Sequence, residues 1–384
     1  MKLTFGNYSE QKRFDGSFPV SWSEFVTYKP SPTQIKKQFA PFLKYKNYIV
    51  IGNGGSISSL NGYWGALGVG SKKNLTIVDS MEPDYLRALI AKYKSATTLV
   101  VAISKSGTTV GVIEALLAFK GYPTLVITSI GEGTLSAIAQ KMGWPQIEHP
   151  AIGGRFTGRT AVAYGPAYLV GIDIESIERG AAEAVKANTN IAGPAWRLAK
   201  YLYERELKKE NDIYMPVYSH FLAGFNHLVM QLMHESVAKN GRGQTILAVS
   251  APESQHHTNQ RYFGGKRNMA SIFVTVKKPL KDIVISVPEK ITEVSLRGEQ
   301  LEKLQNAHLH NSLLCEARGT MGDALEQNIS FSHIQLEQLT PAEIGKYLVL
   351  WQFVAYYSAL LRGVNPLDQP SVERSKEIAM ELRK

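Results

Sequence analysis

Short apolar runs, each closed by a polar or glycine-rich turn, punctuate the first part of the chain at residues 47–51, 75–78, 98–103 and 124–127. Helix-like stretches lie between them, at 83–94 and 110–120. β-Branched runs alternating with helices predict a parallel sheet covered on both faces. The rhythm returns at residues 212–218, 245–249, 271–276 and 282–287, with a helix-like segment at 224–239. Residues 195–209 read as a connecting helix. The predicted fold class is therefore α/β, with two mainly parallel α/β/α sandwiches. The domains expected are an N-terminal arm (1–45), a first α/β domain (46–189), a second (190–340) and a C-terminal helical segment (341–384). Pro30 and Pro32 break the arm before a helix near 32–43. The last segment reads as helical to Arg362, broken from Gly363 to Pro370, and helical again.

Composition narrows the class. With 384 residues, 44% of them hydrophobic and 20% charged, the chain can fill two cores. Its formal charge of +10 suits an anionic partner, or solubility alone. The basic residues are dispersed, and Arg205, Lys208 and Lys209 alternate with Glu204, Glu206 and Glu210, so no tract points to nucleic acid. Residues 347–361 are the longest apolar stretch, interrupted by Gln352 and Ser358. They are too short to span a bilayer, and the start of the chain lacks an apolar signal core, so no membrane partner is expected. The single cysteine, Cys315, can form neither an internal disulfide nor a zinc site, which suits a reducing compartment.

Six segments carry candidate chemistry. Gly52-Asn53-Gly54-Gly55-Ser56 follows the first strand, where glycines permit a sharp turn and close approach to a ligand. Ser104-Lys105-Ser106-Gly107-Thr108-Thr109 follows the third, and its hydroxyls and amides could converge as a phosphate cradle. Taken singly, each is ordinary turn and cap chemistry. At the strand ends of one sheet they point together to a phosphate. A dinucleotide fingerprint fails because Ile57 stands where its third glycine belongs, and no Gly-Lys-Ser/Thr follows for a nucleotide triphosphate loop. Arg155, beside Gly153 and Gly154, offers a planar cation for a developing oxyanion, or is a surface loop residue. Gln231 and Glu235 are four apart, on one face of a predicted helix, with Glu235 in a largely apolar stretch that suits a proton-shuttling base. His256 and His257 lack partners at metal-ligand spacing, so an acid/base role for one histidine is preferred and no metal is expected. By composition alone Lys376, within Asn365 to Lys376, is a surface lysine.

These segments, in this order, resemble the glucose-6-phosphate isomerase (phosphoglucose isomerase) family. Gly153-Gly154-Arg155-Phe156 followed by Ala161-Val162 and Gly171-Ile172-Asp173 looks like one family signature. Gln255-His256 with Gln260 looks like its histidine segment, and Asn365 to Lys376 like its C-terminal signature. The resemblance implies two sugar-isomerase (SIS) domains of flavodoxin-like fold. It implies a cytoplasmic enzyme of glycolysis and gluconeogenesis, without cofactors, that interconverts glucose 6-phosphate and fructose 6-phosphate through ring opening and a cis-enediolate. Ser56, Ser104, Lys105, Ser106 and Thr109 would hold the phosphate. Glu235 would move the proton, Arg155 would stabilise the enediolate, and His256 with Lys376 would open the ring. Gln231 and Gln369 would orient substrate or water. The family's histidine comes from a neighbouring subunit, which implies a homodimer. Gly107, Val110, Gly111 and Arg159 depart from the family pattern, and so does the segment Gln255 to Asn259. A pocket reshaped there could admit the C2 epimer, so a dual phosphoglucose/phosphomannose isomerase is the alternative enzyme. A non-catalytic SIS sensor of sugar phosphates would not need Glu235, Arg155, His256 and Lys376 together. An amidotransferase-linked isomerase would need an N-terminal cysteine, and Met1-Lys2 offers none.

Overall fold

Every residue of the strand Thr98–Ile103 is buried, as a strand must be when helices cover both faces of its sheet. The structure is a computed structural model that describes residues 1–9, 24–189 and 192–383. Residues 10–23 of the expected arm, and 190–191 at the expected domain boundary, lie outside the described residues.

The first sheet orders its strands Asn74–Val78, Asn47–Ile51, Thr98–Ile103, Thr124–Thr128, Gln146–Glu148, all parallel. In chain order this is 2-1-3-4-5. The winding reverses between Asn47–Ile51 and Thr98–Ile103, so the loops leaving their carboxyl ends diverge and open a crevice. Those loops are residues 52–56 and 104–109. On one face Ile49, Ile51, Val100, Ala102 and Val126 pack against Leu86, Leu116 and Leu135 of the covering helices and against Phe119, which ends one of them. Truncating such a leucine to alanine costs about 2–5 kcal/mol. The intervening residues Tyr48, Val50, Leu99, Val101 and Leu125 are equally buried on the other face.

The second sheet orders Lys2–Gly6, Phe331–Leu336, Met269–Val276, Asp212–Tyr218, Thr245–Ser250. The last four are parallel and wound in the same sense, and Lys2–Gly6 is an antiparallel edge.

The strand expectations hold closely, with exceptions. Residues 282–287 form no strand: Val284 makes one isolated bridge with His308, and Pro288 follows. Lys2–Gly6, Gln146–Glu148 and Phe331–Leu336 are strands that periodicity did not reveal.

The chain divides into two compact units along lines other than the expected domain boundaries. The smaller takes residues 205–220 and 245–339 with the N-terminal strand, so the start of the arm is a sheet edge rather than a separate element. The larger takes the first sheet together with residues 221–244 and 340–384. The physical reason lies in two helices. Asn226–Val237 packs on Pro341–Leu361 and on Ser58–Leu67, and Pro341–Leu361 packs along Ile174–Asn188. The last contact is close: a Cβ on Gly180 would stand 1.9 Å from the Ala342 carbonyl oxygen. Pro341–Leu361 starts cleanly, with Thr340 Oγ1 accepting from the Glu343 amide at 3.3 Å and proline at the first helical position. It is buried around its whole circumference, which explains its apolar run. Among the described residues no helix is long and apolar enough to cross a membrane.

Candidate active site

The glycine loop after the first strand lies flat against the arginine turn. A Cβ on Gly55 would sit 2.1 Å from the Gly154 carbonyl carbon and 2.3 Å from the Arg155 nitrogen, so no side chain fits there. Gly54 has φ +53°, a left-handed conformation that favours glycine. Thr157 Oγ1 staples the contact, donating to the Gly154 carbonyl at 2.7 Å and the Gly55 carbonyl at 3.3 Å. Two segments a hundred residues apart in sequence thus share one surface. Ser56, at the end of this loop, is half-buried, with its amide donating to the Asn53 carbonyl at 3.2 Å.

The second loop is organised by its own hydroxyls. Ser104 Oγ and Thr109 Oγ1 are 3.0 Å apart, and the Ser104 carbonyl accepts from Thr128 Oγ1 at 2.7 Å. Ser106 Oγ accepts from the Thr108 amide at 3.3 Å and from Thr108 Oγ1 at 2.9 Å. Gly107 takes φ +65° to close the turn. Thr109 makes no side-chain cap to the helix Val110–Ala118 that it precedes. The Val112 and Ile113 amides donate to the Thr109 carbonyl at 3.1 and 3.2 Å, and backbone amides at a helix start in general favour anions. Lys105 is exposed, and its carbonyl accepts from the Ser129 amide at 3.2 Å.

Arg155 and Glu235 form the centre. On the helix Asn226–Val237, Gln231 and Glu235 are one turn apart, and Gln231 Nε2 donates to Glu235 Oε1 at 2.8 Å. Gln231 Oε1 accepts from Ser58 Oγ at 2.9 Å, which ties this helix to the one that follows the glycine loop. Glu235 Oε2 accepts from Arg155 Nη1 at 3.0 Å. The Arg155 side chain is 2% exposed and that of Glu235 25%, so a ligand can reach the acid while the cation stays dry. All five Arg155 N–H groups have acceptors. Nη1 also serves Gln369 Oε1 at 2.8 Å, and Nε serves Ser236 Oγ at 2.8 Å. Nη2 serves the carbonyls of Pro366 at 2.6 Å and Asp368 at 3.2 Å. Burial pulls the guanidinium below its ordinary value and Glu235 pulls it back, so it remains a cation. A carboxylate has about four lone-pair directions, so Glu235 keeps room to take a proton while holding both partners.

The larger unit thus contains Ser56, the 104–109 loop, Arg155, Gln231, Glu235 and Gln369, and hydrogen bonds join the last four. His256 belongs to the smaller unit, exposed on the turn Glu253–His256. Its neighbour Gln255 is anchored on Tyr218 and Thr320, and His257 pairs with Glu253 at 2.9 Å. Lys376 lies on the exposed helix Glu373–Glu381 and pairs with Glu373 at 2.9 Å. Among the described residues it makes no hydrogen bond to Arg155, Glu235, Gln231 or Gln369. Sequence reasoning missed Ser58, Ser236, Lys239 and the Pro366 and Asp368 carbonyls. Ser236 follows Glu235 directly and could have been found from that adjacency; a backbone carbonyl leaves no mark in a sequence.

No protein-family model matches the chain. Two α/β units, each with a mainly parallel sheet wound in the same sense, and a hydroxyl-rich turn at the switch point of the first, define the SIS-type phosphosugar isomerase fold. Within that fold the chain is similar to glucose-6-phosphate isomerases, the family its six segments resemble. It is 28% identical over 356 residues to the glucose-6-phosphate isomerase of Methanocaldococcus jannaschii, covering 88% of this chain and 85% of that one. The glucose-6-phosphate isomerase of Listeria monocytogenes is 28% identical over 363 residues, covering 85% and 78%. The crystal structure of a glucose-6-phosphate isomerase from Chlamydia trachomatis superposes with a TM-score of 0.78 at 20% identity, covering 91% and 72%.

Proposed function

We propose that this protein interconverts D-glucose 6-phosphate and D-fructose 6-phosphate, as an enzyme of glycolysis and gluconeogenesis in the cytoplasm. One observation carries the reading: a half-buried carboxylate held 3.0 Å from a fully buried guanidinium, beside the glycine loop of a sheet switch point. In this reading Ser56, Ser104, Ser106 and Thr109 hold the phosphate, with Lys105 acting through its backbone. That remote handle positions the carbon end. Glu235 takes the proton from C2 of the open-chain aldose and returns it to C1. Arg155 steadies the negative charge that the enediolate carries between the two transfers. Gln231 orients the Glu235 carboxylate, and Gln369 meets the substrate oxygens or water.

His256 and Lys376 take the ring-opening step. The reading assigns His256 to the site of a neighbouring copy, so the active form is a homodimer. The chemistry is proton transfer alone and calls on neither a metal nor a redox cofactor. The glucose-6-phosphate isomerase names of the relatives favour this reading over a dual enzyme that also takes mannose 6-phosphate. A coupled assay with glucose 6-phosphate and mannose 6-phosphate offered separately tests it. Turnover of the first and little of the second is expected; no turnover of the first would overturn it.

A further inference from the structure

Both hydrogens of Arg155 Nη2 go to backbone carbonyls of one loop, those of Pro366 and Asp368. No strand or long helix fixes these carbonyls, because the loop lies between the end of Pro341–Leu361 and the short turn Pro370–Val372. Side chains fix them instead. Lys239 Nζ stands 2.7 Å from Asp368 Oδ1 and also donates to the Asn365 carbonyl, so one ammonium grips the loop at two points. Asn365 completes the knot, with Nδ2 donating to Asp368 Oδ2 at 3.0 Å and Oδ1 accepting from the Leu367 amide at 3.0 Å. The Lys239 side chain is only 11% exposed while that of Asp368 is 52% exposed, so the ammonium end of the pair is sheltered and its carboxylate end is open to solvent; the hold on the loop comes from the ammonium's two acceptors together. Lys239 follows Glu235 by four residues, in the turn just after the helix Asn226–Val237.

We infer that Lys239 is a positioning residue for the isomerisation: it holds the 365–368 loop, whose carbonyls orient the Arg155 guanidinium toward the reacting oxygens. The inference rests on the isomerase reading above. One helix and the turn after it would then carry the base and also set the cation. Lys239 touches no substrate; it acts only through the loop.

The test separates orientation of Arg155 from simple loop stability. Lys239→Met should lower kcat roughly 10- to 100-fold, the scale of a small misplacement of a catalytic group, with KM changed less than about threefold. A phosphorylated hydroxamate that mimics the enediolate should lose affinity in step with kcat. A phosphorylated sugar alcohol, which shares the phosphate handle but carries no oxyanion, should bind as before. Lys239→Arg should restore most of the turnover. Asp368→Asn, which keeps its carbonyl but loses the charge, should behave like Lys239→Met and serves if that variant does not fold. Wild-type turnover in these variants, or equal weakening of both analogues, overturns the inference. A wild-type protein that turns over neither sugar phosphate defeats the isomerase reading itself, which is a separate result.

Discussion

Arg155 Nη1 and Gln369 Oε1 stand 2.8 Å apart, and the same nitrogen gives its other hydrogen to Glu235 at 3.0 Å. With Nε on buried Ser236 and Nη2 on two carbonyls, a substrate oxygen can reach this guanidinium only by taking over one Nη1 hydrogen. Gln369 is the weaker acceptor of the two, being neutral, and it sits on a loop. Exchange there leaves the ion pair with Glu235 intact. Gln369→Leu is therefore expected to cost no more than about tenfold in kcat. Arg155→Lys should cost roughly 100- to 1,000-fold, the scale of losing a preorganised oxyanion donor, because an ammonium cannot replace a five-donor fork. Steady-state kinetics of the two variants check the ranking, and a reversed order would mean that Gln369, not Arg155, meets the developing charge.

Glu235→Gln preserves the shape but removes the proton acceptor, and its single amide oxygen can replace the oxygen that accepts from Gln231 or the one that accepts from Arg155, but not both. Turnover should fall roughly 100- to 10,000-fold, the usual contribution of a positioned base. Binding of a phosphorylated sugar alcohol should change little, since the handle loops at 52–56 and 104–109 are untouched. The comparison needs kcat together with an inhibition constant. Retained turnover would remove Glu235 from the mechanism.

Gly55 offers a test of the scaffold. A methyl there would overlap the Gly154 carbonyl carbon and the Arg155 nitrogen, and backbone cannot step aside as a flexible side chain can. Gly55→Ala should therefore displace the turn that carries Arg155, lowering kcat and the melting temperature together. Gly319 is the control. It lies inside the helix Leu309–Glu326, and a Cβ added to it would meet nothing within 4 Å, so Gly319→Ala should stabilise by about 0.4–1 kcal/mol. Thermal melts of both variants, alongside kcat for Gly55→Ala, decide the matter.

The legible parts of this protein were those with local signals. The strands Asn47–Ile51 and Thr98–Ile103 are apolar runs after one polar residue each, and their bounds could be read directly. Gln231 and Glu235 were legible as a pair because a helix repeats every 3.6 residues. Gln146–Glu148 was not, since three residues are too few to show a period. Lys2–Gly6 was missed because five residues, Lys-Leu-Thr-Phe-Gly, are too few to show a clear period, and the strand is defined by its partner, Phe331–Leu336. Residues 282–287 misled for the opposite reason. Ile283, Val284 and their neighbours look like a strand, yet they stay largely exposed and find one bridge only. The Gly55–Gly154 contact and the Lys239–Asp368 bridge join segments far apart in sequence, and no local rule could have paired them.

His333 sets an acid-side slope on stability. Burial, assisted by Lys2, depresses its imidazole to about 4, and the ring is held neutral with Nε2 2.7 Å from Thr275 Oγ1. In the unfolded chain a histidine titrates near 6.5. Between those values the unfolded state binds a proton that the fold refuses, so stability falls as pH drops from about 6.5 toward 4 and levels off below it. At 1.36 kcal/mol per unit the full effect is about 3 kcal/mol. Burial depresses buried His149 as well, which adds a loss in the same direction. Carboxylates also titrate in this range, but they are common to the wild type and to a His333→Gln variant. The difference between the two chains therefore isolates this ring. Urea unfolding at pH 7, 6, 5 and 4 should show the variant losing less stability than the wild type across the series, and parallel curves would show that His333 carries no such penalty.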